Sequence, residues 1–324
     1  MSQIKIKILR QGKEFDKVLS CTFFTMRGAY RDFSKYIRNL EIMIENSRVL
    51  RGFETRIYTD DTGADIALQV AEKYPDVSVY HFDCPQFREG EGHVGTFGTL
   101  VRFLPMFEKE LKTVWVSDID VNTEPYNFSN RIVEVASNYD VFAENRVCYD
   151  RKPWNFGKKH AFVAYRMIFN ITFPRRLLTH YINKLADGSL KQAIDQVNDY
   201  NTRKPRNERF PYGMDEYFIN GVIYDYVKKH DLTCLFRKKY DLSGWFEHGL
   251  PIITKEDRDL VVKYELSVAS RETLKRVKQI YKKGIQWFLE KDPIKYGCFR
   301  ETLEKLDSLK DGLEEWVVIS GKDL

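Results

Sequence analysis

The chain has 324 residues, 43% of them hydrophobic, 14% aromatic and 31% charged. That composition supports a sizeable buried core and excludes disorder as the main state. The 52 Lys and Arg against 47 Asp and Glu leave a net charge of +5, which suits a small anionic ligand better than a nucleic acid.

The length fits one large α/β domain or two of ordinary size. No apolar run approaches the roughly 18 residues that span a bilayer. The start, MSQIKIKILRQGKEF, alternates charged and aliphatic residues and lacks the continuous apolar segment of a signal peptide. Cys21, Cys84, Cys148, Cys234 and Cys298 are odd in number, with no CxxC pair, so neither a zinc ribbon nor a disulfide framework is signalled. A soluble, cytoplasmic protein is expected.

Lys17 to Phe24 (KVLSCTFF) reads as a buried strand. Residues 30 to 49 place Phe33, Tyr36, Ile37, Leu40, Met43 and Ile44 on one face of a helix. Phe53 to Thr59 is a second strand ended by Asp60 and Asp61, residues 64 to 74 a helix cut by Pro75, and Val77 to Phe82 a third strand. Thr99 to Glu110 reads as helical, and Thr113 to Val116 as a strand running into acidic residues. Further on, Val141 to Glu144 and Ala161 to Phe169 read as strands, and 175 to 199 and 214 to 229 as helices. The pattern after about residue 265 is helical to the end, apart from breaks near Pro293 and Gly297 and a short apolar stretch, Trp316 to Ile319. Strands separated by helices of these lengths predict an α/β fold, a mostly parallel, Rossmann-like sheet with helices on both faces. In such sheets ligands sit at the carboxyl ends of the strands.

The segment VWVSDIDVN, residues 114 to 122, therefore draws attention. Residues i and i+2 of an extended chain point to one side, so Asp118 and Asp120 reach one divalent cation together. Mg²⁺ and Mn²⁺ prefer such oxygen ligands and bridge to phosphates. A solvated turn after a strand is the competing reading of the same pair.

Upstream runs GTFGTLVRFLPMFEKELKTVWVSDID, Gly95 to Asp120, with Arg102 sixteen residues before Asp118. This arrangement resembles the GT-A nucleotide-sugar glycosyltransferases, in particular the glycogenin and lipopolysaccharide galactosyltransferase group. The resemblance implies a GT-A domain over residues 1–264, with 265–324 as a helical extension packed on the same body. It implies Mn²⁺ or Mg²⁺ at Asp118 and Asp120, and a nucleotide-sugar donor beside Arg102 and Asp118. Arg102 equally fits as a structural partner of a strand-end Asp. Thr22, Phe23 and Thr25, at the end of the first strand, are implied at the nucleotide base and ribose, and Asp60 nearby. YGMDEYFIN, Tyr212 to Asn220, resembles the helix start that faces the reacting sugar, which puts forward Asp215 and then Glu216 as catalytic carboxylates. Interaction with the helix dipole is the alternative for both.

Two stretches depart from the group. KKHAFVAYRMIFN stands where the group has an Asn-Ala-Gly turn, and GWFEHGLP, residues 244 to 251, where it has His-Phe-x-Gly-x-x-Lys-Pro-Trp. The latter offers His248 as a third metal ligand without the following Lys-Pro-Trp, and KPW occurs elsewhere, at Lys152 to Trp154. The implied reaction moves a sugar, from UDP rather than GDP, to a hydroxyl on a glycan, protein or lipid, with retention of configuration favoured. The alternatives are a GT-A domain that binds without turnover and a sugar-phosphate nucleotidylyltransferase. The latter expects a Gly-rich loop, whereas TFFTMRGAYR holds one Gly. Nucleic-acid binding is not expected, because the basic loop Arg203 to Arg209 lacks aromatic interleaving. Residues 274–290 form a basic amphipathic helix suited to peripheral membrane contact, or to packing its stripe on the body.

Overall fold

The computed structural model describes residues 4–25, 33–120, 126–146, 153–200, 209–240, 250–265, 270–294, 296–297, 299–310 and 312–324. Its centre is a nine-stranded sheet. The strands of that sheet are β1 (Lys5–Arg10), β2 (Lys17–Thr22), β3 (Glu54–Thr59), β4 (Val77–Asp83), β7 (Thr113–Ser117), β8 (Val141–Arg146), β9 (Arg166–Phe169), β10 (Cys234–Lys239) and β11 (Glu314–Ile319). A small hairpin, β5 (Arg88–Glu89) with β6 (Gly92–His93), stands apart from it. The spatial order is β1-β4-β3-β2-β7-β9-β8-β10-β11.

Strands β4, β3, β2 and β7 are mutually parallel, and β8 and β10 run the same way because β9 is antiparallel to both β7 and β8. The sheet is thus mostly parallel, with β1, β9 and β11 reversed. The chain builds outward from β2 through β3 to β4, then returns to add β7 on the other side of β2. That reversal opens a crevice between the carboxyl ends of β2 and β7.

Alternation along the strands divides the core into two layers. Leu19, Cys21, Ile57, Trp115, Phe142, Ile168 and Leu235 face the helices Phe33–Ser47, Ala64–Ala71 and Tyr126–Ala136. Phe82, Val114, Val116, Met167, Phe169 and Phe236 face the segments 98–107, 176–186 and 214–229. A further apolar cluster joins Tyr240, Leu250 and Ile253 to the helices Lys255–Glu265, Arg271–Lys291 and Phe299–Lys305.

Several elements differ from the sequence expectation. The IKIKIL alternation forms β1, an edge strand whose Ile6 and Ile8 stay exposed beside Lys5 and Lys7; charges on an edge discourage pairing with other chains. The stretch 99–110 is a short helix, Gly98–Val101, and a 3₁₀ turn, Leu104–Phe107, with Pro105 breaking what would be one helix. The 175–199 region is two helices, Arg176–Ala186 and Lys191–Tyr200. After 265 the helical region is present, but the apolar stretch Trp316–Ile319 interrupts it as a strand. It lies in β11, antiparallel to β10, as the last strand of the central sheet.

The amphipathic helix Arg271–Lys291 buries Leu274, Val277, Ile280, Tyr281, Ile285 and Phe288 within the C-terminal cluster. Its apolar stripe is therefore used inside the molecule. Lys275, Arg276 and Lys283 remain exposed. No helix among the described residues is long and apolar enough to cross a membrane.

Candidate functional site

Strand β7 is buried along its whole length and delivers its last residues to the crevice. Ile119 turns into the core, whereas Asp118 and Asp120 are half-buried and line a cleft of about 100 Å³. Thr22, Phe24, Tyr36, Thr96, Thr99, Arg102, Ser117 and Tyr212, with part of Ile119, complete the lining.

Arg102 is the centre of the site. Its side chain is 5% exposed, and its Nη1 donates to Asp118 Oδ1 while Nη2 donates to Asp215 Oδ2 at 2.7 Å. The backbone fixes its position as well: the Ser20 hydroxyl of β2 donates to the Arg102 carbonyl at 2.7 Å. One guanidinium thus ties together the end of β7, the 98–107 segment and the helix Met214–Phe218. A planar fork makes two directed bonds that a lysine ammonium would not reproduce.

Asp215 enters from behind Arg102. It opens the helix Met214–Phe218, which starts at Gly213 with φ +101. A Cβ at Gly213 would meet the Trp154 ring at 2.7 Å, so both backbone conformation and space demand glycine there. The Met214 carbonyl accepts from the Tyr181 hydroxyl at 2.6 Å. A π-helical turn, Ile219–Ile223, follows, and Asn220 within it pins the Phe162 backbone through both N–H and C=O. Glu216 is buried on the same turn and does not line the cleft.

The end of β2 sorts by parity. Thr22 and Phe24 face the cleft, and Phe24 fits there because residue 98 is glycine, where a Cβ would meet its ring at 2.5 Å. Phe23 points the other way into the core, 1% exposed, next to Cys21 and Ile57. Thr25 does not line the cleft either; its N–H donates to Thr62 Oγ1 at 2.8 Å.

Asp60 stands behind the cleft and does not line it. Its carboxylate is fully buried, takes the Thr62 N–H and hydroxyl on one oxygen, and lies 3.0 Å from His93 Nδ1 on the other. The Cys84 N–H donates to His93 Nε2 at 3.0 Å. An N–H can only donate, so the ring proton sits on Nδ1, aimed at Asp60. Asp60 therefore acts at one remove: it holds Thr62, and Thr62 holds the backbone of Thr25 just beyond β2. His248 lies outside the described residues.

Sequence reasoning missed Thr96, Thr99 and Tyr212, which line the cleft. Tyr212 adjoins the Asp215 motif and the two threonines flank the Arg102 segment, so proximity to motifs was their one available signal. Nothing in the sequence pointed to the Asp60–His93 pair.

A second charged group lies at the same ends of the strands, on the opposite face. Glu144, fully buried, accepts from Arg166 at 2.7 Å, from Arg237 at 3.0 Å and from the Tyr165 hydroxyl, with Lys239 at 3.6 Å. Burial alone would raise its pKa, but Arg166, Lys239 and Arg237 together hold it well below the usual carboxylate range. The unfolded chain therefore takes up a proton on Glu144 at a pH where the folded chain does not. The stabilisation is complete above about pH 4.3 and is lost as pH falls below it towards the folded-state pKa. Acid melts of the wild type are expected to show a steeper loss below that pH than those of Glu144→Gln, and parallel acid limbs would refute the assignment.

What the cleft can hold follows from its donors. Among the described residues no group of three or more His, Cys, Asp or Glu forms a closed metal cage. Asp118 and Asp120 offer hard oxygen atoms at an open cleft, with Arg102 on one oxygen of Asp118. That set does not suit a four-ligand structural zinc site. It fits a Mg²⁺-type ion, which takes one or two carboxylates and completes its shell with water and phosphate oxygens.

No protein-family model matches this chain, and no curated protein matches it. Among solved structures, one similar chain is the 4-diphosphocytidyl-2C-methyl-D-erythritolsynthase from Anaerococcus prevotii DSM 20548. It is 11% identical with a TM-score of 0.34, and the alignment covers 53% of this chain and 74% of that one. A likeness of that size transfers neither an activity nor a site residue, so the functional argument rests on the cleft.

Proposed function

We propose that this chain is a metal-dependent glycosyltransferase that binds a nucleoside-diphosphate sugar, with UDP as the preferred nucleotide, in the cleft between β2 and β7. The supporting observation is the convergence of Asp118, Asp120 and Arg102 at the reversal point of the strand order. Asp118 and Asp120 would hold the Mn²⁺ or Mg²⁺, and such an ion supplies positive charge to a leaving diphosphate. The protein's own part is positional. Arg102 fixes the Asp118 carboxylate, Thr22, Thr96, Thr99 and Tyr212 make the rest of the lining polar, and Phe24 offers an aromatic wall. Asp215 pairs with Arg102 from behind the cleft, and its part in this reading is to hold that guanidinium in place. The acceptor is a hydroxyl on a glycan, protein or lipid.

Nucleotidylyl transfer onto a sugar or polyol phosphate is the second reading. It is favoured by the same two-carboxylate donor set, which serves a nucleoside triphosphate as well as a diphosphate sugar. One experiment separates the two. Thermal melts with UDP, UDP-sugars, CTP and UTP, with and without Mn²⁺, are followed by product analysis with each nucleotide that shifts the melt. Under the first reading UDP-sugars raise the Tm only with metal and release UDP. A ligand at 100 times its Kd adds about 2.7 kcal/mol. Release of pyrophosphate from CTP or UTP establishes the second reading. No shift with any nucleotide refutes both.

A further inference from the structure

The buried Asp60–His93 pair is the centre of an unbroken hydrogen-bond chain behind the cleft. Asp60 is fully buried, and its donors among the described residues are all neutral: the Thr62 N–H at 3.1 Å, the Thr62 hydroxyl, and the His93 ring N–H at 3.0 Å. A carboxylate buried without a cation is costly, so the loss of any one of these donors is felt. The direction of every bond is fixed. His93 accepts the Cys84 N–H on Nε2 and therefore donates from Nδ1. The Thr62 hydroxyl gives its one proton to Asp60 and therefore accepts the Thr25 N–H, at 2.8 Å. The chain runs from Cys84, just beyond β4, through His93 of β6 to Asp60 and Thr62 beyond β3, and ends at Thr25 beyond β2. It crosses the carboxyl ends of three adjacent strands.

The imidazole also packs against the supports of two lining segments. Its ring lies 4.8 Å from that of Phe82, and Phe82 meets Phe24, the aromatic lining residue of β2, edge-on at 6.4 Å. It stacks on Phe97 at 5.6 Å. Phe97 stands between Thr96, which lines the cleft, and Gly98, where a Cβ would strike the Phe24 ring. One imidazole thus supports the end of β2 through Asp60 and Phe82, and the 96–102 segment through Phe97. The remaining charged groups nearby are engaged with one another. Asp83 lies 3.8 Å from His93 Nε2 but accepts from Arg88 at 2.9 Å; Arg88 also donates to Asp61 at 2.8 Å, and Asp61 pairs with His81 at 2.7 Å.

We propose that His93 is a positioning residue for nucleotide binding, which fixes the β2 wall of the cleft against the 96–102 segment through its bond to Asp60 and its contacts with Phe82 and Phe97. It does not line the cleft and acts only through these neighbours. The inference rests on the reading of the cleft as a nucleotide site, and it holds for a diphosphate sugar and a triphosphate alike. A wall that meets the nucleotide in the ground state and the transition state equally contributes uniform binding. Loosening it raises KM and leaves kcat in place.

The test compares the full wild-type chain with His93→Leu and His93→Asn. Each is melted, and each is titrated calorimetrically with UDP and with CTP, both with Mn²⁺, at a temperature where all three are folded. Leucine gives Asp60 no donor, whereas asparagine offers an amide N–H close to the position of Nδ1. His93→Leu is expected to weaken nucleotide binding at least about tenfold, the worth of a hydrogen bond to a charged group, and His93→Asn to recover part of that loss. In turnover the loss is expected in KM, with kcat within about threefold of wild type. A folded His93→Leu protein with wild-type affinity overturns the proposal whatever its Tm, because a purely structural pair moves the Tm alone. So does a His93→Asn variant that binds no better than His93→Leu, or a turnover loss confined to kcat. If the wild type binds neither nucleotide, the nucleotide reading of the cleft fails and this inference falls with it, an outcome distinct from binding that ignores residue 93. Should His93→Leu not fold, Thr62→Val takes its place, since it keeps the side-chain shape and removes the hydroxyl between Asp60 and Thr25. Undiminished binding in that variant overturns the proposal equally.

Discussion

Replacing Arg102 by Met is expected to lower stability by about 3 kcal/mol and to abolish the nucleotide response of the cleft. The magnitude comes from the cost of removing one partner of a buried ion pair, about 3–5 kcal/mol, because the remaining charge is left uncompensated. Asp215, 9% exposed, bears most of that cost, while Asp118, 37% exposed, recovers some hydration. The lower end of the range therefore applies. Arg102→Lys is expected to fall between, since one ammonium does not span both carboxylates with directed bonds. The diagnostic is the double variant Arg102→Met/Asp215→Asn. Removing the stranded charge is expected to restore part of the lost stability without restoring function. Denaturant melts of the three variants decide it, and a loss below about 1 kcal/mol in Arg102→Met would show that the pairings carry little.

Asp120→Ala is expected to have the opposite profile. Asp120 is half-buried at the mouth of the cleft, outside the apolar core, so stability without ligand should change little. The metal-dependent nucleotide shift should vanish, and turnover should fall by at least ~100-fold, more than removal of an outer-shell partner of a metal ligand costs. The contrast matters more than either result alone. Loss of function together with stability would leave Asp120 as a structural turn residue. Loss of function without loss of stability assigns it to the ligand. Unchanged turnover in a folded Asp120→Ala protein removes the metal from the reading.

The parts of this architecture that were legible in the sequence are those governed by short periods. The run of strands and helices up to β7 could be placed because each strand is an apolar run bounded by turn residues. The Asp118/Asp120 pair could be aimed because a period of two fixes which side of β7 they share. The same rule, applied to β2, would have separated Thr22 and Phe24 from Phe23, since Leu19 and Cys21 already mark the core side. What stayed hidden depends on contacts across long stretches of chain. Arg102 meets Asp215 over 113 residues, and Asp60 meets His93 over 33. Neither pairing leaves a periodic trace, and a buried carboxylate at a strand end looks the same in sequence as one that awaits a ligand. The C-terminal apolar stretch could not be placed in the sheet for a related reason: its partner β10 lies far upstream, with the helices Lys255–Glu265, Arg271–Lys291 and Phe299–Lys305 between.

The position of β11 also bears on how the protein is made. On the ribosome, β10 emerges with β8 already beside it but with its outer edge bare until Glu314–Ile319 has been synthesised. An unpaired edge of that kind templates association with other chains. Nascent chains stalled or cleaved before residue 314 leave β10, with its Cys234, Leu235 and Phe236, as the edge, and should be captured by holdase chaperones or aggregate more than chains that reach residue 319, where β11 with Glu314 and Glu315 becomes the edge. Yield of soluble product should depend steeply on whether translation reaches that last strand.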